Sequence, residues 1–214
     1  MNIRRKDLLL YAVTDRSWLK GDSLIRQVRE AVEAGVTLLQ LREKELPFDE
    51  LIALAEEIHE ITKQYGIPLI INDNVEAALV VGAEGVHLGQ EDMELQNART
   101  RLGNDKIIGI SAHTVEEAIK AQNSGADYIG TGAIFSTATK SDAHDVALQT
   151  LSAICSAVSI PVVAIGGITK ENMQKLKGSG IAGVAVVSAI FAQPEIGRAT
   201  KELADLAKQV IGEA

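Results

Sequence analysis

Ala34-Gly35-Val36-Thr37-Leu38-Leu39-Gln40-Leu41-Arg42-Glu43-Lys44 holds in one run the unit from which the fold is built. A glycine closes a helical pattern, and a short turn leads into an apolar strand with a polar far end. Glycine just past a helix permits the left-handed cap that satisfies the last carbonyls. Alternate residues of a strand share a face, so Gln40, Arg42 and Lys44 point the same way. Two cations on one face at the end of an apolar strand are costly to bury unless an anion meets them. The stretch therefore predicts a strand whose exit holds a phosphate-rich ligand.

The same form recurs along the chain, in Gly82-Ala83-Glu84-Gly85-Val86, Gly125-Ala126-Asp127-Tyr128 and Gly180-Ile181-Ala182-Gly183-Val184. Apolar runs predict strands over residues 8–15, 37–42, 68–72, 85–88, 107–111, 128–132, 161–166 and 183–188. Helical periodicity lies between them. It is clearest over 49–65, where Leu51, Leu54, Ala55, Ile58 and Ile61 repeat at helical spacing. A helix over 114–124 opens on Thr114 as N-cap, with Glu116 and Glu117 in its first turn. The last helix spans 196–211.

Eight βα units in this length fit a single (β/α)8 TIM barrel, an α/β fold over residues 1–214. No linker or low-complexity segment divides the chain. A doubly wound sheet is the competitor, but the first junction reads Thr14-Asp15-Arg16-Ser17-Trp18 and lacks the glycine-rich dinucleotide motif.

Of the 214 residues 46% are hydrophobic and only 3% aromatic, so small and branched aliphatics carry the packing, as in parallel α/β folds. A net charge of −8 argues against nucleic-acid binding by bulk electrostatics, so any anion site must be a local cluster of cations. The single cysteine, Cys155, lies in an apolar helical context, reads as a packed thiol and fits a reducing cytoplasm. Arg4, Arg5 and Lys6 before Leu8 resemble a signal-peptide start, but Asp7 and Thr14-Asp15 bound a run too short for one, which reads as a first core strand. No stretch approaches the roughly 20 apolar residues of a membrane helix.

In a barrel of this type the active site forms at the C-terminal ends of the strands. Those exits carry Gln40, Arg42 and Lys44; Asn72 and Asp73; Asp92; Ser111; Thr137 to Lys140; Gly166 and Gly167; and Val187 with Ser188. Asp73 and Asp92 follow adjacent strands and could share a hard cation such as Mg2+, completed by water and ligand phosphate. The alternative is that each caps a helix, Asp73 at Asn74 and Asp92 at Met93. Thr137, Ala138, Thr139 and Lys140 suit oxyanion recognition, or form an ordinary solvated loop. Gly166-Gly167 lets a ligand approach backbone N–H groups, or makes a tight turn. Among the histidines, His59 is expected on a solvated helix face and His87 as a hydrogen-bonded interior group. His113 and His144 stand near the mouth without an evident partner. Neither a hydrolase elbow nor a zinc spacing is present.

Taken together these blocks resemble the thiamine phosphate synthase family. The resemblance rests on residues 11–15, 40–44, 72–73, 85–92, 109–113, 137–140, 164–168 and 186–190, and covers nearly the whole chain. It implies a transferase that joins a hydroxymethylpyrimidine diphosphate to a thiazole phosphate, with or without a ring carboxylate, giving thiamine phosphate and pyrophosphate. Gln40, Leu41, Arg42, Glu43, Lys44, Asn72, Ser111 and Lys140 would then surround the pyrimidine diphosphate. Arg42, Lys44, Ser111 and Lys140 would act catalytically, and Asp73 and Asp92 would bind Mg2+. Thr137, Ala138, Thr139, Gly167, Val187 and Ser188 would hold the thiazole phosphate. The family mechanism is dissociative, with pyrophosphate leaving before the thiazole nitrogen attacks.

The partners implied are these small molecules, with no nucleic acid or membrane, and a homo-oligomer stays open. Two departures stand out: Ala133 and Ser136 replace the family's usual loop prolines, and Ala147 stands where glycine is common. A related thiazole tautomerase would be expected to lose parts of the diphosphate and metal set, all present here. A phosphate-binding regulator would not need two metal ligands. A sugar-phosphate epimerase should show opposed acid/base groups that the strands lack.

Overall fold

The computed structural model describes residues 3–19, 21–136 and 146–212. Its strands are β1 (Leu10–Val13), β2 (Leu38–Leu41), β3 (Leu69–Asn72), β4 (Gly85–Leu88), β5 (Ile107–Ser111), β6 (Tyr128–Thr131), β7 (Val162–Ile165) and β8 (Gly183–Val186). All pair in parallel in chain order, and β1 pairs with β8 to close the (β/α)8 barrel. The helices are α1 (Leu24–Glu33), α2 (Phe48–Gln64), α3 (Val75–Val81), α4 (Leu95–Leu102), α5 (Val115–Asn123), α6 (Leu148–Ala157), α7 (Ser188–Phe191) and α8 (Ile196–Ile211). After β7 only a 3-10 turn, Met173–Leu176, takes the helix position. No helix among the described residues is long and apolar enough to cross a membrane.

Period-two alternation splits each strand between two apolar layers. Leu10, Ala12, Leu39 and Leu41 face the helices, whereas Tyr11, Val13 and Leu38 fill the lumen with Ile70, Tyr128 and Val163. The helices answer with amphipathic faces: α8 buries Ile196, Thr200, Leu203, Ala204, Ala207 and Val210 at helical spacing.

The expected elements are all found, several of them trimmed. Leu8 belongs to a 3-10 turn, Arg5–Leu8, and is fully buried with the lumen residues rather than opening β1. Asp15 lies beyond β1, where its side chain accepts from Ser17 N at 2.9 Å and caps a short turn. Ser188 begins α7 instead of ending β8. Thr114 is the N-cap expected, accepting from Glu117 N at 3.1 Å.

The repeated turn sequence has a physical role at the N-terminal rim. Thr37, just before β2, accepts from Leu10 N at 2.9 Å. Glu84 accepts from Leu69 N at 2.7 Å, and Asp127 from Ile108 N at 2.8 Å. Each side chain supplies an acceptor to an N–H in the first two residues of the preceding strand, a group that would otherwise be buried without a partner. Ala182, at the same position of the fourth copy, has no such side chain and keeps only the backbone bond that Thr37 and Asp127 also make, its N–H donating to Val162 O at 2.7 Å.

His59 departs from expectation. It lies 2% exposed on the inner face of α2, with Nε2 3.2 Å from Glu84 Oε1. The charged neighbours in sequence mark the opposite face of the helix; His59 itself follows Ile58 and Ala55 inward.

Candidate active site

The strands' C-terminal ends open on a cavity of about 190 Å3. Its wall brings together Gln40, Arg42, Asn72, Asp73, Asp92 and Ser111 on one side, and Gly167, Val187 and Ser188 on the other. These residues come from six different strand exits, so only barrel closure makes them neighbours. Thr137, Ala138, Thr139, Lys140 and His144 lie outside the described residues.

The stretch 40–44 divides as strand geometry requires. Gln40 points into the lumen, 4% exposed, and its Nε2 donates to Tyr11 Oη at 2.5 Å. Arg42 lines the cavity, and its N–H donates to the buried Thr14 Oγ1 at 3.0 Å, which steers the chain as it leaves β2. Leu41 is fully buried among the residues facing the helices and lines no part of the cavity. Glu43 is likewise absent from the wall; its carboxylate, nearly buried, accepts from Arg16 Nε at 2.7 Å. Burial outweighs that partner and raises the Glu43 pKa. Lys44 is exposed at the rim, close enough for its charge to favour ionised Asp73.

The two carboxylates meet each other rather than capping helices. Asn74 is the N-cap of α3, accepting from Ala77 N at 2.9 Å, and α4 begins only at Leu95 after Glu94. Burial, followed by a shared hydrogen bond and like charge with Asp92, pushes the Asp73 pKa up to about 6. Asp73 also has φ of 60°, the only positive φ of a non-glycine residue among those described. Left-handed backbone costs an L-residue about 1–2 kcal/mol, least for Asp and Asn, and such outliers gather at functional sites. Asp92 is oriented by Gly89, whose N–H donates to Oδ2 at 2.6 Å.

Oxygen donors only, crowded enough to resist joint ionisation, fit a hard divalent cation, which removes the repulsion between them. Among the described residues no cluster of three or more His, Cys, Asp or Glu side chains could hold a metal by itself. A cation here would therefore take most of its ligands from water and substrate.

Gly166 and Gly167 have φ of 96° and 61°. A Cβ on Gly166 would lie 2.5 Å from Ala133 Cα, and one on Gly167 2.4 Å from Ser136 O. The pair thus serves both readings: a left-handed turn packed on the β6 exit that leaves bare backbone on the cavity wall.

His87 is the interior hydrogen-bonded group anticipated, and it also lines the cavity: Nδ1 is 2.9 Å from Tyr128 Oη and Nε2 3.0 Å from Ser111 Oγ. His113 does have a partner, with Nδ1 3.3 Å from Glu117 Oε2. Sequence reading passed over Tyr11, Thr14 and Tyr128 as contributors. The available signal was parity, since Tyr11 shares its face of β1 with Val13 and its neighbours across the lumen are polar.

A closed barrel with a cavity at the strands' C-terminal ends, where charged and polar side chains gather on a largely apolar wall, is the architecture of a (β/α)8-barrel enzyme acting on small molecules. The family model for thiamine monophosphate synthase matches residues 10–190. The chain is 49% identical over 203 residues to thiamine-phosphate synthase of Clostridium tetani, covering 95% of this chain and 97% of that one. It is 49% identical over 200 residues to the Ruminiclostridium cellulolyticum protein of the same name, covering 94% and 95%. The solved thiamine phosphate pyrophosphorylase from Pyrococcus furiosus superposes with a TM-score of 0.90 at 39% identity, covering 97% and 99%. The chain belongs to the thiamine monophosphate synthase family, and is a transferase of thiamine biosynthesis.

Proposed function

We propose that this chain, as one catalytic domain over residues 1–214, condenses a hydroxymethylpyrimidine diphosphate with a thiazole phosphate to give thiamine phosphate and pyrophosphate, with Mg2+. The observation that carries the reading is the juxtaposition of Arg42 with Asp73 and Asp92 in a single cavity. A guanidinium beside a carboxylate pair on one cavity wall, with Lys44 at the rim, matches a metal-bound diphosphate leaving group.

Arg42, Lys44 and Lys140 would neutralise diphosphate oxygens, and Asp73 and Asp92 would hold the ion. When bound, Mg2+ would supply charge stabilisation to the departing pyrophosphate. The bond broken joins the pyrimidine methylene carbon to a diphosphate oxygen, whose electron pair leaves with pyrophosphate. The amino-substituted ring delocalises the resulting positive charge. The thiazole nitrogen lone pair then forms the new carbon–nitrogen bond. Reaction at carbon requires no protein nucleophile; the Ser111–His87 pair in the cavity has Tyr128 Oη at the other ring nitrogen, 2.9 Å from His87 Nδ1.

The chain's contribution is positional and electrostatic. Gln40, Asn72 and Ser111 orient the pyrimidine; Gly167, Val187 and Ser188, with Thr137 to Thr139, hold the thiazole phosphate. Fixing both partners in line and stabilising the leaving group together supply on the order of 10 kcal/mol of barrier lowering. A single cysteine, which allows no disulfide within the chain, is compatible with a reducing compartment such as the cytoplasm.

The test is to mix both substrates with Mg2+ and the purified protein and to look for thiamine phosphate by mass and for pyrophosphate by a coupled assay. Both products should appear together, in equal amounts, and vanish with chelator. Neither product at saturating Mg2+ would remove the reading.

A further inference from the structure

Gln40, Tyr11, Tyr128, His87 and Ser111 form a continuous hydrogen-bonded chain across the barrel lumen. Gln40 Nε2 donates to Tyr11 Oη (2.5 Å), which is 2.8 Å from Tyr128 Oη. Tyr128 Oη is 2.9 Å from His87 Nδ1, and His87 Nε2 is 3.0 Å from Ser111 Oγ. The residues come from β2, β1, β6, β4 and β5, and only the two end members are groups the proposed reaction uses.

The chain is built into the core. Tyr11 is 2% and Tyr128 0% exposed, and burial drives both phenol pKa values far up, so each keeps its proton. Two mid-strand glycines make the room. A Cβ on Gly109 would sit 2.1 Å from Tyr128 Cζ, and one on Gly130 3.0 Å from His87 Cε1. A polar chain this deep is stable only when every member is satisfied, so its bonds must run consistently in one direction.

With the Gln40 amide donating, the Tyr11 hydroxyl donates to Tyr128, and Tyr128 to His87 Nδ1. The proton of a neutral His87 then sits on Nε2 and points at Ser111, which is left to donate outward. The cavity meets an acceptor at Gln40 Oε1 and a donor at Ser111. A ring edge with an amino group beside a ring nitrogen complements that pair. A ring with an oxo group beside a ring N–H needs the opposite pair, which requires the Gln40 amide, both phenol protons and the His87 tautomer to reverse together.

We propose that Tyr11, Tyr128 and His87 are positioning residues that couple the hydrogen-bonding polarity of Gln40 to that of Ser111, and thereby select an amino-substituted over an oxo-substituted pyrimidine. The substrate part of this inference rests on the pyrimidine diphosphate reading above.

The test uses the whole enzyme and the variants Tyr128→Phe and Tyr11→Phe. Long-range proton–nitrogen NMR of the unliganded protein reads which His87 nitrogen carries the proton. Steady-state kinetics compare the aminopyrimidine diphosphate with its oxo analogue. Wild type should show Nε2 protonated and prefer the amino substrate by on the order of 100-fold or more. Tyr128→Phe should give a mixed His87 tautomer and cut that preference about tenfold, with the KM for thiazole phosphate unchanged. Tyr11→Phe should lose preference similarly while the His87 spectrum holds, because Tyr128 still donates to Nδ1. If Tyr128→Phe fails to fold, Tyr11→Phe carries the test alone.

An undiminished preference in a folded variant, or Nδ1 protonated in wild type, overturns the coupling. If wild type forms no thiamine phosphate, the proposed reaction fails; the NMR spectra of wild type and variants still decide whether the chain exists.

Discussion

The two rims of this barrel use similar polar side chains in opposite ways. At the N-terminal rim Thr37, Glu84 and Asp127 each accept from a strand N–H. Asp127 also takes Arg99 at 2.6 Å, and Glu84 takes His59. At the C-terminal rim Asp73 and Asp92 crowd each other, Asp73 adopts an unfavourable backbone, and Arg42 faces the same cavity. One rim closes its polar groups on the fold; the other keeps them gathered and under electrostatic tension, an arrangement that a ligand relieves. Residue type does not separate a structural carboxylate from a functional one. What separates them is the company each keeps: Glu84 and Asp127 meet donors only, whereas Asp73 and Asp92 meet each other.

That contrast breaks if substitutions at the two rims have interchangeable effects. The largest expected effect is Asp92→Ala. It should lower the rate of pyrophosphate release by about 100- to 1,000-fold at saturating Mg2+, as expected for loss of a group that stabilises developing charge. The melting temperature should move by no more than about 3 °C, because the lost bond to Gly89 is offset by relief of the carboxylate repulsion. Unchanged turnover would remove Asp92 from the site.

Next is Arg42→Ala, expected to raise the KM for the pyrimidine diphosphate by about 10- to 100-fold, the range for losing a charge-assisted contact. Titration of the diphosphate by calorimetry checks it, and an equal affinity would sink the assignment. At the other rim, Asp127→Ala strands the Ile108 N–H and removes the carboxylate from Arg99, whose guanidinium keeps the carbonyls of Gly103, Lys106 and Gly125. It should cost about 2–3 kcal/mol of stability, lowering the melting temperature by about 4–9 °C with kcat unchanged. A loss of activity without a loss of stability would erase the distinction between the rims.

The smallest effect on function concerns Cys155, which packs near Gly180 and lines no part of the cavity. Its folded pKa of about 11 lies above the ordinary 9.0, mainly because of burial. The folded protein holds this proton more tightly, so the associated stabilisation is present below pH 9.0 and is lost as pH rises through about 11. Iodoacetamide should label the native thiol about 100-fold more slowly than the unfolded one at pH 8, and Cys155→Ala should leave turnover intact. Fast native labelling would show the thiol to be less protected than its burial implies.

The strand and helix pattern was legible because it is local. The spacing of Leu51, Ala55 and Ile58, or the alternation through Leu38 to Leu41, reflects which face each side chain must bury. The exits were legible for the same reason, as polar residues terminating apolar runs. His59 misled because its neighbours in sequence are charged and solvated while its own side chain is buried against the barrel, where Glu84 meets it, and that depends on how α2 sits on the barrel. Leu41 and Glu43 share the most recognisable stretch with Gln40 and Arg42, yet point elsewhere, since a strand turns alternate residues to opposite faces.

The order of strands, the amphipathic helices and the kinds of chemistry at each strand end follow from the chain alone, because they depend on residues a few positions apart. That Asp73 and Asp92 could meet follows too, since their strands are neighbours along the chain. The linking of Gln40 to Ser111 through Tyr11, Tyr128 and His87 does not: it crosses the lumen between separate strands, and it exists only because pairing of β1 with β8 closes the sheet.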